Sequence, residues 1–353
     1  MTETDPIPGA GAGGDTSVGV GLVGAGAIGA FHGESLAWRV PGARLAGVAD
    51  PAPGAAEGLA ARLGCARATT DPAELLGDPS VQAVVIAAPA RFHADLVEAA
   101  AGAGKAVFCE KPMALTLADA DRAVAAAEAA GVPLQVGFNR RFDAGFRAAH
   151  DLVAAGRVGT PQLLRSLTRD PGIPDPGRVP PSGIFLETLI HDFDTLRHLN
   201  PGAEPVEVYA VTDALAYPDY KDQGLQDTAV VVIRFDNGAM ATAEASFNAV
   251  YGYDVRGEVF GSAGMVTAGD PRRTTMAHYG AEGVAADTWR RNIDLFHDAY
   301  TAELAAFVDC ARTGATPDPT GRDARAALAI ALAAIRSAET GGPVRLAEVD
   351  KPS

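Results

Sequence analysis

Apolar residues in the first part of the chain form short, nearly continuous runs separated by longer alanine-rich segments. Such runs are typical of strands buried on both faces of a parallel sheet, and they lie at residues 17–23, 43–50, 83–89, 105–109 and 132–138. The intervening segments, including 55–63 and 117–131, carry apolar residues at helical spacing. Because strands and helices alternate, residues 17–138 are predicted to form a doubly wound α/β domain of the Rossmann type.

The pattern changes to a period of two after residue 204, which is typical of strands with one buried face. Strands are predicted near residues 206–212, 228–235, 239–247 and 253–260, after a helix at 141–156 and a strand at 159–168. The Asp-Asn-Gly sequence at 236–238 is a strong hairpin signal. Two alanine-rich helices, 292–313 and 322–339, close the chain. Residues 139–353 are therefore predicted to form an α+β domain with a large, mainly antiparallel open sheet.

Composition narrows the class of protein and its partners. At 353 residues the chain exceeds what one core usually holds, which agrees with two domains. No apolar run is long enough to span a bilayer, and the acidic, Gly/Pro-rich residues 1–16 are predicted to be a disordered tail rather than a signal peptide. The formal net charge of -15 argues against nucleic acid and anionic membranes as partners.

Cysteine usage indicates the compartment. Cys65, Cys109 and Cys310 are widely spaced and form no CxxC motif. This pattern is typical of reduced thiols, so we expect a cytoplasmic protein without a disulfide framework or a structural metal site.

A glycine-rich turn, GAGAIG from Gly24 to Gly29, joins the first strand directly to the first helix. Gly24 permits the tight turn, Gly26 lets the backbone approach a pyrophosphate, and Gly29 allows the helix to pack on the strand. Asp50 ends the second strand, 21 residues after Gly29. A carboxylate there binds the adenosine ribose and repels a 2'-phosphate, so NAD is favoured over NADP. On these residues alone, a glycine-rich surface turn with an unrelated aspartate remains an alternative.

The sequence Glu110-Lys111-Pro112 follows another strand of the same predicted sheet. Ligands of open α/β sheets bind at the carboxyl ends of the strands. A lysine at this point can stabilise a developing alkoxide or polarise a carbonyl by its charge. His93 begins a helix after an earlier strand, where it either approaches the nicotinamide or faces solvent.

A predicted helix at residues 182–199 carries a second set of polar residues on one face. Glu187, His191, Asp194 and His198 recur there at helical spacing, opposite an apolar stripe. A carboxylate one turn before a histidine can orient the imidazole and stabilise its protonated form, which makes His191 a candidate general base. A solvated helix face with i,i+4 pairs is an equal alternative. A zinc site is less favoured, because no cysteine lies nearby.

Several segments together resemble the glucose-fructose oxidoreductase/inositol dehydrogenase/rhizopine catabolism (Gfo/Idh/MocA) family, and the likeness is nearest to its bacterial inositol 2-dehydrogenases. With Asp50, the segments that carry the resemblance are GAGAIGAFH, AAPARFH, AVFCEKPMALT, LQVGFNRRFD and SGIFLETLIHDFD. The likeness runs from about Val18 to the C-terminus. It implies a catalytic triad of Lys111, Glu187 and His191. The family's usual residue at the second position is Asp, so Glu187 is a departure.

The resemblance also implies the other contacts of the site. The predicted cofactor-binding residues are Gly24, Gly26, Ala27, Ile28, Gly29, Asp50, Ala88, Pro89, His93 and Glu110. The predicted substrate contacts are Asn139, Arg140, Asp170 and Asp194, with Tyr253 and Tyr300 as weaker candidates for which an amphipathic surface position is an equal alternative. The open sheet of the second domain often mediates oligomers in this family, commonly tetramers, so a homo-oligomer is expected.

The combined interpretation is an NAD-dependent dehydrogenase that oxidises a ring hydroxyl of a cyclitol resembling myo-inositol. A dehydrogenase of the same fold acting on another sugar, such as an aldose, an anhydrosugar or an aminocyclitol precursor, is the first alternative. A non-catalytic NAD-binding regulator is the second. A complete Lys111, Glu187 and His191 set argues against a regulator, because a sensor has no need of acid-base groups.

Overall fold

A computed structural model describes residues 17–349, and the predicted tail at 1–16 lies outside this range. The first sheet contains β1 (Val18–Val23), β2 (Ala43–Ala49), β3 (Ala68–Thr69), β4 (Ala83–Ile86), β5 (Ala106–Cys109) and β6 (Leu134–Val136). All its strands are parallel and follow the order β3-β2-β1-β4-β5-β6. This order is that of the dinucleotide-binding doubly wound fold, so the predicted architecture is confirmed.

Helices connect these strands. They are α1 (Ala27–Trp38), α2 (Ala55–Leu63), α3 (Pro72–Leu76), α4 (His93–Gly102) and α5 (Leu117–Ala130). Local sequence explains their ends: Thr116 caps α5 by accepting the Asp119 N–H at 3.1 Å, and Gly131 ends it with a φ of 66°. The short helix α3 was not predicted, although Asp71 caps it by accepting the N–H of Ala73.

The second sheet is mixed and mainly antiparallel, as predicted. The remaining strands are β7 (Pro161–Arg169), β8 (Pro205–Asp213), β9 (Thr228–Phe235), β10 (Met240–Ser246), β11 (Asp254–Gly261), β12 (Gly264–Ala268), β13 (Arg272–Gly280), β14 (Gly283–Thr288) and β15 (Val344–Arg345). The sheet follows the order β12-β11-β7-β10-β9-β8-β15, while β13 and β14 form a separate exposed hairpin. The predicted turn at 236–238 joins β9 to β10 in antiparallel register.

The remaining helices are α6 (Ala144–Ala154), α7 (Ile190–His198), α8 (Asn292–Leu295), α9 (His297–Thr313), α10 (Gly321–Thr340) and α11 (Leu346–Val349). Two predicted helices are divided. A π-helical turn at Ile184–Leu189 precedes α7, and Phe296 separates α8 from α9. Helices α7 and α10 pack together and against the second sheet. Within residues 17–349, none of the helices combines the length and apolar character needed to cross a bilayer.

Helix α9 returns to the first sheet. Its side chains Leu304, Phe307 and Val308 are buried in the same core as β1, β2 and β4, and the ring of Phe307 lies 5.7 Å from that of Phe108. Residues near the end of the chain therefore complete the core of the dinucleotide-binding half, across the predicted boundary at residue 138.

Candidate active site

A cavity of about 720 Å³ opens at the carboxyl edge of the first sheet. Of the predicted cofactor residues, the ones that line it are Gly24, Gly26, Asp50, Ala88 and Pro89. The cavity is bounded by residues that follow β1, β2 and β4, which is where ligands of such sheets bind. Its further lining by Arg91, Phe92, Asp95 and Leu96 was not predicted, although Arg91 and Phe92 lie in the AAPARFH segment, because the sequence does not show which side chains of the next helical turns face the cavity.

The three glycines of the turn have different physical requirements. Gly24 has a φ of +105°, and a Cβ there would lie 2.5 Å from the carbonyl oxygen of Ala87. A Cβ at Gly29 would lie 2.0 Å from the carbonyl oxygen of Gly24, so the helix could not pack as it does. A Cβ at Gly26 would meet nothing within 4 Å, and its backbone caps α1 at the cavity wall. The turn therefore presents open backbone and a helix N-terminus to a ligand.

Asp50 is fixed by the backbone around it. Its Oδ2 accepts the N–H of Ala25 at 2.7 Å, and its Oδ1 accepts the N–H of Ala52 at 2.9 Å. Since each carboxylate oxygen can accept more than one hydrogen bond, the group remains able to bind hydroxyls in the cavity that it lines.

Two predicted cofactor contacts lie elsewhere. His93 is 1% exposed, with Nδ1 2.8 Å from the carbonyl oxygen of Pro112 and Nε2 2.6 Å from that of Ala88. Glu110 is buried, with Oε1 2.6 Å from His32 Nε2. Neither residue lines the cavity, because each side chain is engaged by a partner in the core. His93 links two loops of the site and Glu110 lies beneath the Lys111 turn, so their direct contact with a cofactor stays a prediction.

A second cavity of about 590 Å³ brings together the predicted catalytic residues. Ala27 and Ile28, at the start of α1, form the wall next to the cofactor cavity. The polar lining contains Lys111, Thr168, Asp170, Glu187, Thr188, His191, Tyr253, Arg290, Arg291 and Asn292. Prediction missed the residues from 290 to 293, which follow the exposed hairpin and carry no recognisable motif.

The predicted pair between Glu187 and His191 is not formed. The Glu187 carboxylate is exposed and makes no hydrogen bond or ion pair with His191 in the described structure. Instead, the main-chain oxygen of Glu187 accepts a hydrogen bond from Lys111 Nζ at 3.0 Å. Glu187 belongs to the π-helical turn, so the α-helical spacing from which the pair was predicted does not apply there.

His191 is half-buried, and its Nδ1 is buried without a hydrogen-bond partner among residues 17–349. Burial, and then the charges of Lys111 and Arg140, hold the pKa of His191 well below its usual value. The imidazole is therefore neutral at physiological pH. A neutral imidazole at the wall of a polar cavity is chemically suited to accept a proton.

Asp170 and Tyr253 line the same cavity, and their side chains influence each other's ionisation. Burial raises the pKa of Asp170 to about 6, against the opposing effects of the Tyr253 hydroxyl and of the charges of Arg140 and Lys111. Burial also raises the pKa of Tyr253 well above its usual value, so its hydroxyl stays protonated.

Arg140 and Asp194, two predicted substrate contacts, are held in buried ion pairs outside the cavity lining. Arg140 donates to Asp192 at 2.9 Å and to Thr168 at 2.6 Å. Asp194 accepts two hydrogen bonds from Arg141, at 2.6 and 2.9 Å. These ion pairs hold both charged groups in place, and direct contact of either group with a substrate stays a prediction. Arg140 still influences the site through its charge.

The last two predicted substrate contacts are also core residues. Asn139 is 2% exposed and is absent from the lining of both cavities. Tyr300 is 5% exposed, and its ring packs at 5.4 Å from Phe31 and 5.9 Å from His32. Direct contact of either residue with a substrate stays a prediction.

Comparison with protein families gives two matches that together cover most of the chain. Residues 18–138 match the model of an oxidoreductase family with an NAD-binding Rossmann fold, and residues 146–267 match the GFO/IDH/MocA C-terminal domain. The myo-inositol 2-dehydrogenase of Thermotoga maritima is 39% identical over 94% of this chain and 99% of its own length. The scyllo-inositol 2-dehydrogenase (NAD(+)) of Bacillus subtilis is 38% identical over 92% of this chain and 95% of its own.

Solved structures show the same similarity. The scyllo-inositol dehydrogenase of Lactobacillus casei, crystallised with NAD(H) and scyllo-inositol, superposes with a TM-score of 0.89 at 29% identity. The superposition covers 94% of this chain and 99% of that one.

Proposed function

Since the chain belongs to the Gfo/Idh/MocA oxidoreductase family, we propose that it is an NAD-dependent dehydrogenase that oxidises a ring hydroxyl of a cyclitol to the ketone. The observation that carries this proposal is the second cavity. It places Lys111, His191 and Asp170 together, directly beside the start of α1 where the cofactor cavity begins.

The residues of the first cavity fit NAD. Gly24, Gly26 and the N-terminus of α1 provide backbone N–H groups and the positive end of a helix dipole for the pyrophosphate. Asp50 would bind the adenosine ribose hydroxyls, and its charge disfavours a 2'-phosphate. When bound, the nicotinamide accepts the hydride that leaves the substrate carbon.

His191 and Lys111 provide the proton chemistry. The neutral imidazole of His191 takes the proton of the substrate hydroxyl as the carbon loses its hydride. The Lys111 ammonium, held by the main-chain oxygen of Glu187 at 3.0 Å, stabilises the developing alkoxide. Glu187 takes part through this carbonyl, and its carboxylate stands at the exposed rim of the cavity.

The polar lining suits a neutral polyol. Asp170 in its ionised form accepts hydrogen bonds from hydroxyls, and Thr168, Thr188 and Asn292 offer neutral partners around them. A site built to hydrogen-bond hydroxyls discriminates strongly against analogues that lack them. The relatives named above act on myo-inositol and scyllo-inositol, which makes these cyclitols the first substrates to test.

A substrate screen tests the proposal. Purified protein with NAD is given myo-inositol, scyllo-inositol, other cyclitols, aldoses and anhydrosugars, and NADH is followed by its absorbance. We expect the highest kcat/KM with a cyclitol, and loss of turnover in a His191→Gln control that still binds NAD. A clear preference for an aldose or anhydrosugar would show that the substrate is a sugar of that class and not a cyclitol. Tight NAD binding without turnover of any substrate would favour a regulator.

We further propose a homo-oligomer, a tetramer or dimer, in the cytoplasm. The second sheet carries exposed apolar side chains at outward-facing positions, among them Tyr209, Val211, Val230 and Val232. Adjacent exposed apolar residues of this kind favour burial against a second copy. The free thiols of the three cysteines fit a reducing compartment. Light scattering of the purified protein tests the oligomeric state.

A further inference from the structure

Three ionisable side chains meet in the core behind the active site. His32 comes from α1, Glu110 follows β5 and Glu303 comes from α9. His32 and Glu303 are fully buried and Glu110 is 6% exposed. A ring nitrogen of His32 and one carboxylate oxygen of each glutamate lie within 4.8 Å of one another. A cluster of this kind is costly in the core, so the distribution of its charge matters.

The hydrogen bonds indicate where the charge lies. His32 Nε2 is 2.6 Å from Glu110 Oε1, whereas His32 Nδ1 is buried without a partner among the described residues. The ring therefore makes its one hydrogen bond through Nε2, and Glu110 is its partner. Both carboxylate oxygens of Glu303 are also buried without a partner. An isolated buried carboxylate of this kind is far cheaper in its protonated form.

The two carboxyl groups consequently differ in charge. Burial and the neighbouring Glu110 raise the pKa of Glu303 well above its usual value. Burial alone would raise the pKa of Glu110 too, but the hydrogen bond with His32 and the nearby charge of Lys111 hold it below its usual value. The cluster thus carries its negative charge on Glu110.

Glu110 is tied directly to the Lys111 turn. Its Oε2 accepts the main-chain N–H of Lys111 at 3.2 Å. Gly137, on the neighbouring strand end, leaves room for this arrangement, because a Cβ there would lie 3.1 Å from the same oxygen. The carboxylate is therefore fixed on both sides, by His32 and by the turn that presents the lysine to the cavity.

We propose that Glu110 is a positioning residue, which fixes the Lys111 turn and places a buried anion behind it, while His32 and a protonated Glu303 confine the negative charge to Glu110. The inference rests on the role given to Lys111 in the proposed function. The buried cluster therefore acts on the active site through its charge, although none of its three side chains lines the cavity.

Titration of Lys111 tests the proposal without cofactor or substrate. The sequence contains four lysines, Lys105, Lys111, Lys221 and Lys351. Reductive ¹³C-methylation therefore gives few NMR signals, and a Lys111→Met variant assigns the one of interest. In Glu110→Gln we expect the Lys111 signal to titrate at a lower pH than in the wild type, because a nearby anion has been removed. Lys105, which donates to Asp78 and Val81 carbonyls at the other end of the sheet, should not move.

Kinetics provide the second readout of the same variant. We expect kcat to be about tenfold lower because the Lys111 turn is no longer fixed, with the basic limb of the pH profile moved to lower pH and KM for NAD unchanged. An unshifted Lys111 signal in folded Glu110→Gln protein would overturn the proposal. If the signal shifts but no cyclitol is oxidised, the positioning role stands and the proposed function fails.

Glu303→Gln is the matched control, because a neutral amide replaces a neutral acid of the same shape. We expect the Lys111 titration to be unchanged and the infrared C=O band of one buried carboxylic acid to disappear. This band is measured in the wild type as well, so the proposal stays testable even if Glu110→Gln does not fold. Absence of such a band at neutral pH would overturn the proposal. So would a stoichiometric divalent metal in the purified protein, since the same three residues would then be its ligands.

Discussion

Replacing Asp170 by Asn tests two separate effects of its carboxylate. One is the free energy that its burial costs the folded state, and the other is its role in binding the substrate. The difference between a pKa of about 6 in the folded protein and the ordinary value of 3.8 corresponds to about 3 kcal/mol, at 1.36 kcal/mol per pH unit. Burial dominates this shift. Because the folded pKa is raised, the folded state loses stability as pH rises from about 4 to about 6, and the full penalty remains above that window.

Asn has no charge to desolvate and keeps a carbonyl oxygen that can accept a hydrogen bond. We therefore expect Asp170→Asn to raise the free energy of unfolding at pH 7.5 by about 1 to 3 kcal/mol, less than the full figure because the amide itself is buried. The gain should vanish near pH 4. Urea denaturation across this range measures it, and Glu187→Gln, which alters an exposed carboxylate of the same cavity, is the control expected to show no gain.

The same variant should lose activity. Replacing an ionised acceptor that binds substrate hydroxyls costs about 1.5 to 3 kcal/mol, or about 10- to 100-fold in kcat/KM. In the wild type, the acidic limb of kcat/KM is expected near pH 6, where Asp170 protonates. In Asp170→Asn this limb should disappear and leave only the lower one of His191, whose pKa is depressed by burial. A variant that is no more stable than the wild type and keeps a limb near pH 6 would refute this reasoning.

Four further predictions follow from the site. The wild type should prefer NAD, and Asp50→Ser should narrow the ratio of kcat/KM for NAD and NADP; a wild-type preference for NADP would contradict the role of Asp50. Lys111→Met should retain NAD affinity by calorimetry but lose about 10²- to 10³-fold in kcat, whereas near-normal turnover would make the lysine structural. Glu187→Gln should change kcat less than about threefold, because its carboxylate is exposed and contacts His191 nowhere in the structure; a large fall with a shifted acidic limb would show that the pair forms during turnover. Asp194→Asn should lower stability by about 1 to 3 kcal/mol in urea denaturation with little change in KM, since it breaks a buried pair while Arg141 keeps its contacts with Asp318 and Asp323; unchanged stability with a raised KM would indicate that Asp194 contacts the substrate.

The sequence pattern predicted the two sheets because their strands differ in period. Strands buried on both faces, such as β4, are continuous apolar runs, and strands buried on one face, such as β9, alternate. The hairpin of β13 and β14 was not predicted, because strand prediction depends on this pattern of buried and exposed positions. Nearly all its residues are exposed, so no alternation of burial marks the strands. The two-residue β15 pairs with β8 through tertiary packing that local sequence does not encode.

The predicted site residues whose position follows from the backbone line the cavities, whereas several whose position depends on the direction of the side chain lie in the core. The glycine turn, Asp50 and Lys111 stand at the ends of strands, where topology alone places them at the ligand edge. Glu110 occupies the same strand end as Lys111, but its side chain points into the core toward His32. The side chains of adjacent residues point to opposite faces of a strand, and the sequence does not show which face contacts the ligand.

The segment His191-Asp192-Phe193-Asp194 shows how one motif supplies both chemistry and support. Only His191 lines the cavity, while Asp192 binds Arg140 in the core beneath it. Arg140 lowers the pKa of His191, after burial and Lys111, without lining the cavity. Asp192 in turn neutralises Arg140, and it accepts further hydrogen bonds from Ser166 and Thr168 at 2.5 and 2.7 Å. A buried guanidinium without a partner would carry a large desolvation penalty. Because Asp192 compensates this penalty, the charge of Arg140 can remain near His191 and keep the imidazole neutral and able to accept a proton.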